Sequence, residues 1–133
     1  MSDKHRPSGP AASQRREQRY SARDRLKKRN EYRQVQLTGR RIHTPNFLIV
    51  VKPNTSDTTR LGITVTTKVG NAVQRNRIKR VVRDVFRRNR QLFPASHDVV
   101  FIAKRGIGEL SYASVLTEVE RCAEKLHKAR RPR

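Results

Sequence analysis

The stretch from Val69 to Phe93 constrains the fold more than any other part of the sequence. Placed at about 100° per residue, Ile78, Val81, Val82, Val85, Phe86, Leu92 and Phe93 gather on one side of a helix. Asn76, Lys79, Arg80, Arg83, Arg87 and Arg90 gather opposite, with Arg77 and Arg88 at the flank and Gly70-Asn71 as the turn into the helix. Such a helix has to lay its apolar side on a core. Exposed helix faces ordinarily intersperse acids to relieve repulsion. Here Asp84 is the only acid, so like charges three and four positions apart repel by roughly a few tenths of a kcal/mol per pair. A row of phosphates offsets that repulsion, because guanidinium groups bind phosphate oxygens bidentately. The competing reading is a plain solvated face.

The whole chain carries the same bias. Thirty-two Lys and Arg against 11 Asp and Glu give 133 residues a formal net charge of +21. Self-repulsion of that size opposes compactness and makes sense with a polyanionic partner. Nucleic acid comes first, since each cation placed on a phosphate releases condensed counterions. A membrane surface fits less well, because no basic amphipathic segment carries Trp or a broad aromatic face. No apolar run approaches the roughly 18 residues of a membrane span, and no secretory signal follows the basic N-terminus. The lone Cys122 excludes an internal disulfide and a CxxC metal site. His5, His43, His97 and His127 are scattered without zinc-site spacing. No metal site is expected in the protein, and the expected location is cytoplasmic and reducing.

Hydrophobic residues make up 34% of the chain, so part of it contributes nothing to a core. Residues 1–24, rich in Ser, Pro and Arg, read as a disordered basic arm, and residues 25–133 as one domain. Within the domain, Arg29 to Thr38 has a helical look with Gly39 as its stop. Phe47 to Val51 is short, apolar and β-branched, a buried strand ended by Pro53. Arg60 to Thr66 alternates Leu61, Ile63 and Val65 with Gly62, Thr64 and Thr66, a strand with one apolar face. Asp98 to Ala103 is a further strand, and Ser111 caps a closing helix with Tyr112, Val115, Leu116, Val119, Ala123 and Leu126 at helical spacing.

The string from Lys68 to Arg83, Lys-Val-Gly-Asn-Ala-Val-Gln-Arg-Asn-Arg-Ile-Lys-Arg-Val-Val-Arg, resembles the signature of the bacterial ribonuclease P protein family. The likeness extends from about Arg25 to Lys128. It takes in the Arg-Leu-Lys-Lys opening, Phe47 at a strand start, and Ala103-Lys104-Arg105 before a Ser-Tyr helix start. The resemblance implies an α+β sandwich: a four-stranded central sheet, about three helices, a shape shared with a ribosomal-protein domain, and a left-handed βαβ crossover against the general rule. It implies that a catalytic RNA with bound magnesium performs the hydrolysis, with no catalytic side chain and no tightly held metal in the protein. The implied partners are that RNA and precursor tRNA, with no membrane and no obligate protein partner.

By the same resemblance, Arg75, Asn76, Arg77, Lys79, Arg80, Arg83 and Arg87 would contact the catalytic RNA. A cleft for the single-stranded 5′ leader of precursor tRNA would be formed by Tyr32, Gln36, Leu48, Val50, Thr64 and Thr66, with Lys68 and Arg105 at its rim. Family members often carry aromatics where this chain has Gln36 and Val50. Leader binding would then rest more on Tyr32, whose other reading is core packing, and on cations. A protein nuclease in its own right would need clustered carboxylates, and the acids here are dispersed, with Glu118, Glu120 and Glu124 beside basic partners on the last helix. A structural RNA-binding protein, such as a ribosomal protein without a role in cleavage, is the main alternative. A helix-turn-helix module is disfavoured because strands surround the basic helix.

Overall fold

The structure is a computed structural model that describes residues 25–26, 29–105 and 110–128. The arm expected over residues 1–24 lies outside them. The chain forms α1 (Arg29–Thr38), β1 (Arg40–His43), β2 (Phe47–Pro53), β3 (Arg60–Thr64), α2 (Ala72–Arg88), a 3-10 turn (Arg90–Leu92), β4 (His97–Ala103) and α3 (Tyr112–Lys128). The strands make one sheet in the order β1-β2-β4-β3. β2 is antiparallel to both β1 and β4, and β3 is parallel to β4, the pair joined through α2. Arg25 bridges to Leu61 beyond β3, where the Leu26 N–H donates to the Leu61 carbonyl at 3.0 Å. Among the described residues, the α+β class with four strands and three helices is as the family resemblance implied.

β2 and β4 are apolar on both faces, so both faces need cover. One face carries Ile42, Phe47, Ile49, Val51, Leu61, Val99 and Phe101, which pack with Ile78, Val82, Val85 and Phe86 of α2 and Val115, Val119 and Leu126 of α3. Phe101 meets Phe47 edge-on, with centroids 5.4 Å apart. Cys122 is buried in this layer, and loss of hydration pushes its thiol pKa up, which suits a packing residue. The opposite face carries Val50 and Val100, closed over by Leu26, Val35 and the half-buried Tyr32. The molecule thus has three layers: α1, the sheet, and the pair α2 and α3.

Two glycines let α1 approach this closely. A Cβ at Gly62 would lie 2.7 Å from Tyr32 Cε1, and one at Gly39 would lie 2.6 Å from Val50 Cγ1. The N-terminal end of α1 is held by charge. Arg60 donates from Nε and Nη2 to the two carboxylate oxygens of buried Asp98, both at 2.9 Å, and from Nη1 to Glu31 at 3.2 Å. The Asp98 hydrogen bond raises the Arg60 pKa further above its ordinary value. Asn54 adds a hydrogen bond to Asp98 at 2.8 Å. At the other end, Arg41 Nη1 donates to the Gln36 carbonyl at 2.9 Å, satisfying a last-turn acceptor.

Several element bounds differ from the sequence expectation. β1 was not foreseen, and β2 runs on through Lys52 to Pro53, paired with His97. β3 stops at Thr64, leaving Thr66 exposed in the following loop. α2 ends at Arg88, where Asn89 turns the chain, so Arg90, Leu92 and Phe93 lie beyond the helix. Arg90 packs over the Phe86 ring, 5.1 Å from its centroid, and is not part of the basic helical face.

Removing the Asp98 carboxylate should be far more damaging than removing Glu31. Asp98→Ala strands a half-buried guanidinium and is expected to cost about 3 kcal/mol in a urea titration. Glu31→Ala, whose longer contact to Arg60 is more open to water than that of Asp98, should stay below about 1 kcal/mol.

Candidate nucleic-acid interface

α2 begins with a reciprocal cap. Asn71 Oδ1 accepts from the Gln74 N–H and Gln74 Oε1 accepts from the Asn71 N–H, both at 2.9 Å. The cap fixes where the helix starts, and burial of Ile78, Val82, Val85 and Phe86 turns its basic side away from the core. Asn76, Arg77 and Arg80 are exposed; Arg75, Lys79, Arg83 and Arg87 are half-buried at the flanks. Arg75 Nη1 donates back to the Gly70 carbonyl at 3.0 Å. Arg87 Nε pairs with Asp84 at 3.1 Å, the one acid on this face. Arg88 lies over the Tyr112 ring, 5.5 Å from its centroid. The helix therefore offers a ridge centred on Asn76, Arg77 and Arg80, with the other cations within side-chain reach of it. A ridge of this kind suits a phosphate backbone.

The second candidate region lies across the sheet. Residues on the α1 face fall in rows set by strand register. Arg41, Val50, Val100 and Gly62 form one row, and His43, Leu48, Ile102 and Thr64 form the next. α1 covers the first row. Val50 and Val100 are fully buried there, and the Tyr32 ring sits against Gly62. The second row is open along the flank of α1: Leu48, Ile102 and Thr64 are half-buried and His43 is exposed. Tyr32 and Gln36, both half-buried, share the helix flank. Lys68 and Arg105 are exposed just past the C-terminal ends of β3 and β4, which are parallel and finish at the same end of the sheet.

The result is a strip with an apolar floor, a tyrosine wall and cations at one end. Of the positions expected to form a cleft, Tyr32, Gln36, Leu48 and Thr64 come together; Lys68, Arg105 and exposed Thr66 lie at the rim. Val50 does not line the surface. It lies under α1 with no exposure and sets the height of the helix above the sheet. Ile102, His43 and Lys104 were not picked out from the sequence. In an all-apolar run such as Val99 to Ile102, nothing marks which residues face which side.

A buried carboxylate holds that end of the sheet. Glu118 accepts from Thr44 Oγ1 at 2.7 Å, from the Asn46 N–H at 3.0 Å, and from the Asn46 side-chain amide. Lys104 Nζ donates to the Thr44 carbonyl at 2.7 Å. Glu118, expected beside basic partners on the last helix, is buried and pins the β1–β2 turn through Thr44 and Asn46.

Comparison with known proteins adds independent findings. A family model described as Ribonuclease P matches residues 20–127. The chain is 49% identical over 96 residues to the ribonuclease P protein component of Syntrophus aciditrophicus, covering 72% of this chain and 81% of that one. It is 41% identical over 105 residues to the component from Citrifermentans bemidjiense, covering 79% and 90%. Among solved structures, the RNase P protein from Thermotoga maritima superimposes with a TM-score of 0.70 at 28% identity, covering 77% of this chain and 97% of that one. The Staphylococcus aureus protein gives 0.69 at 27% identity, covering 77% and 94%.

If the α2 ridge binds phosphates, Arg77→Ala and Arg80→Ala should each weaken RNA binding without altering the melting temperature. Each should also lower the slope of log affinity against log salt by about 0.7–0.9. Asp84→Asn should do the reverse, tightening binding, because it removes the negative charge from the ridge. Val82→Asp should unfold the domain by placing a lone charge in the core.

Proposed function

This chain belongs to the ribonuclease P protein family, and on that premise we propose that it binds the catalytic RNA of ribonuclease P through α2 and the single-stranded 5′ leader of precursor tRNA through the strip beside α1. The observation that carries this reading is the placing of two different surfaces on opposite faces of one sheet. A cationic ridge without aromatics suits a structured RNA backbone. A floor of Leu48 and Ile102 with Tyr32 beside it suits unpaired bases. The protein thereby holds substrate and ribozyme in one orientation, a gain of proximity and not of chemistry.

Hydrolysis in this reading belongs to the RNA and its magnesium. What supports it is the employment of the acids. Asp98 is taken by Arg60, Glu118 by Thr44 and Asn46, and Asp84 by Arg87. The described residues bring no group of three or more His, Cys, Asp and Glu together as metal ligands. With these carboxylates engaged by protein donors, the described residues do not offer the oxygen ligands a resident magnesium ion takes. A ribosomal-type protein with no part in cleavage is disfavoured by family membership. A cytoplasmic location, with no other protein required, goes with this function; no helix among the described residues is long and apolar enough to cross a membrane.

Two measurements test the proposal. RNA-free protein should leave precursor tRNA intact at any magnesium concentration, yet stimulate a bacterial ribonuclease P RNA when magnesium is limiting. Cleavage by the protein alone would overturn the division of labour. Tyr32→Ala should lower the affinity of the reconstituted enzyme for leader-bearing precursor tRNA by about 1–3 kcal/mol and spare mature tRNA. Tyr32→Phe should be nearly neutral. Equal loss on both substrates with a lowered melting temperature would make Tyr32 a packing residue only.

A further inference from the structure

The open row of the sheet does not stop at β2. Its register continues Thr64–Ile102–Leu48–His43, so the edge strand β1 supplies the last position. Ile42 packs into the layer of α2 and α3. The alternation of side chains along a strand therefore sends its neighbour His43 to the α1 side. His43 is exposed, and among the described residues its ring makes no hydrogen bond or ion pair. Strands about 4.8 Å apart place it roughly 14 Å from the β3 end of the row, the end where Tyr32 stands over Gly62.

Two facts single this residue out. The half of the strip near β1 and β2 receives no aromatic from α1, because Gln36 occupies that flank. The backbone beside His43 is also held firmly. The next residue, Thr44, is buried, bonded to Glu118, and its carbonyl accepts from Lys104 Nζ. An imidazole on a fixed edge, level with an apolar floor, is a ready stacking surface for a base.

We propose that His43 is a second base-stacking platform, at the opposite end of the strip from Tyr32, so that this chain grips the leader at two separated nucleotides. The proposal rests on the reading of the strip as the leader site. It assigns to β1 a specificity role that depends on leader length.

The test uses enzyme reconstituted with the catalytic RNA and precursor tRNAs whose leaders are shortened one nucleotide at a time. Wild type, His43→Ala, His43→Phe, His43→Lys and Tyr32→Ala are compared, with a melting curve for each. His43→Ala should lose affinity on the order of tenfold for full-length leaders and nothing for leaderless tRNA. His43→Phe should retain the wild-type value. The defects of His43→Ala and Tyr32→Ala should set in at different leader lengths, because the two platforms touch different nucleotides. The proposal is overturned if His43→Ala binds every leader as wild type does while Tyr32→Ala does not. It is also overturned if His43→Lys restores binding and His43→Phe does not, which would mean a phosphate contact. An indifferent Tyr32→Ala would remove the leader strip itself, and this inference with it.

Discussion

Two central strands that are apolar on both faces govern the architecture. β2 and β4 present Phe47, Ile49, Val51, Val99 and Phe101 to one side and Leu48, Val50, Val100 and Ile102 to the other. Water has to be kept from both sides, so a layer of helix is needed on each. Two helices of 17 residues cover one side. The other side has only α1, with 10 residues. At 1.5 Å per residue that helix is about 15 Å long, close to the roughly 14 Å width of four strands. It therefore spans the sheet once, from Arg60 on β3 to Arg41 on β1, and covers a single band. The row it leaves open is the candidate leader strip. The site is the unfilled remainder of a packing problem.

Charge is arranged around the same constraint. The two buried acids hold parts together: Asp98 joins β4 to β3 and, through Arg60, to α1, while Glu118 joins α3 to the β1–β2 turn. The cations are left on the outside, where their mutual repulsion opposes the folded state until a polyanion arrives. Ligand that binds only the folded form stabilises it by mass action, so RNA bound as proposed would add to the stability of this domain. The reciprocal cap of Asn71 and Gln74 and the buried Ile78, Val82 and Val85 matter for the same reason. They fix the ridge in orientation without help from the charged side chains.

Much of this was legible in the sequence, and the reasons for the rest are specific. α2 shows itself because long helices repeat their apolar stripe several times, and its stripe is interrupted by charges that sharpen the period. β1 is hidden because Arg-Arg-Ile-His contains one apolar residue; it is a strand only because β2 offers an edge to pair with. The strip was legible as a set of family positions but not as a surface. Register decides that Leu48 and Ile102 are neighbours, and coverage by α1 decides that Leu48 is half open while Val50 is sealed. Glu118 looks like Glu120 and Glu124 in sequence; only the turn at Thr44 and Asn46, distant along the chain, makes it a buried anchor.

The fixed seat of α1 has one more consequence. The helix is held at both ends, by Arg60 and by Arg41, and Gly39 and Gly62 let it sit as low as the backbone allows. The open row beside it is one side chain wide, about 7 Å along the strands. A lone strand can lie there with its bases turned down onto Leu48 and Ile102. A duplex, with its bases paired inward and a far broader cross-section, has no way to bring a base face to that floor. In the proposed reading of the strip as the leader site, the tethered helix would act as a gauge that admits unpaired RNA and leaves a duplex outside.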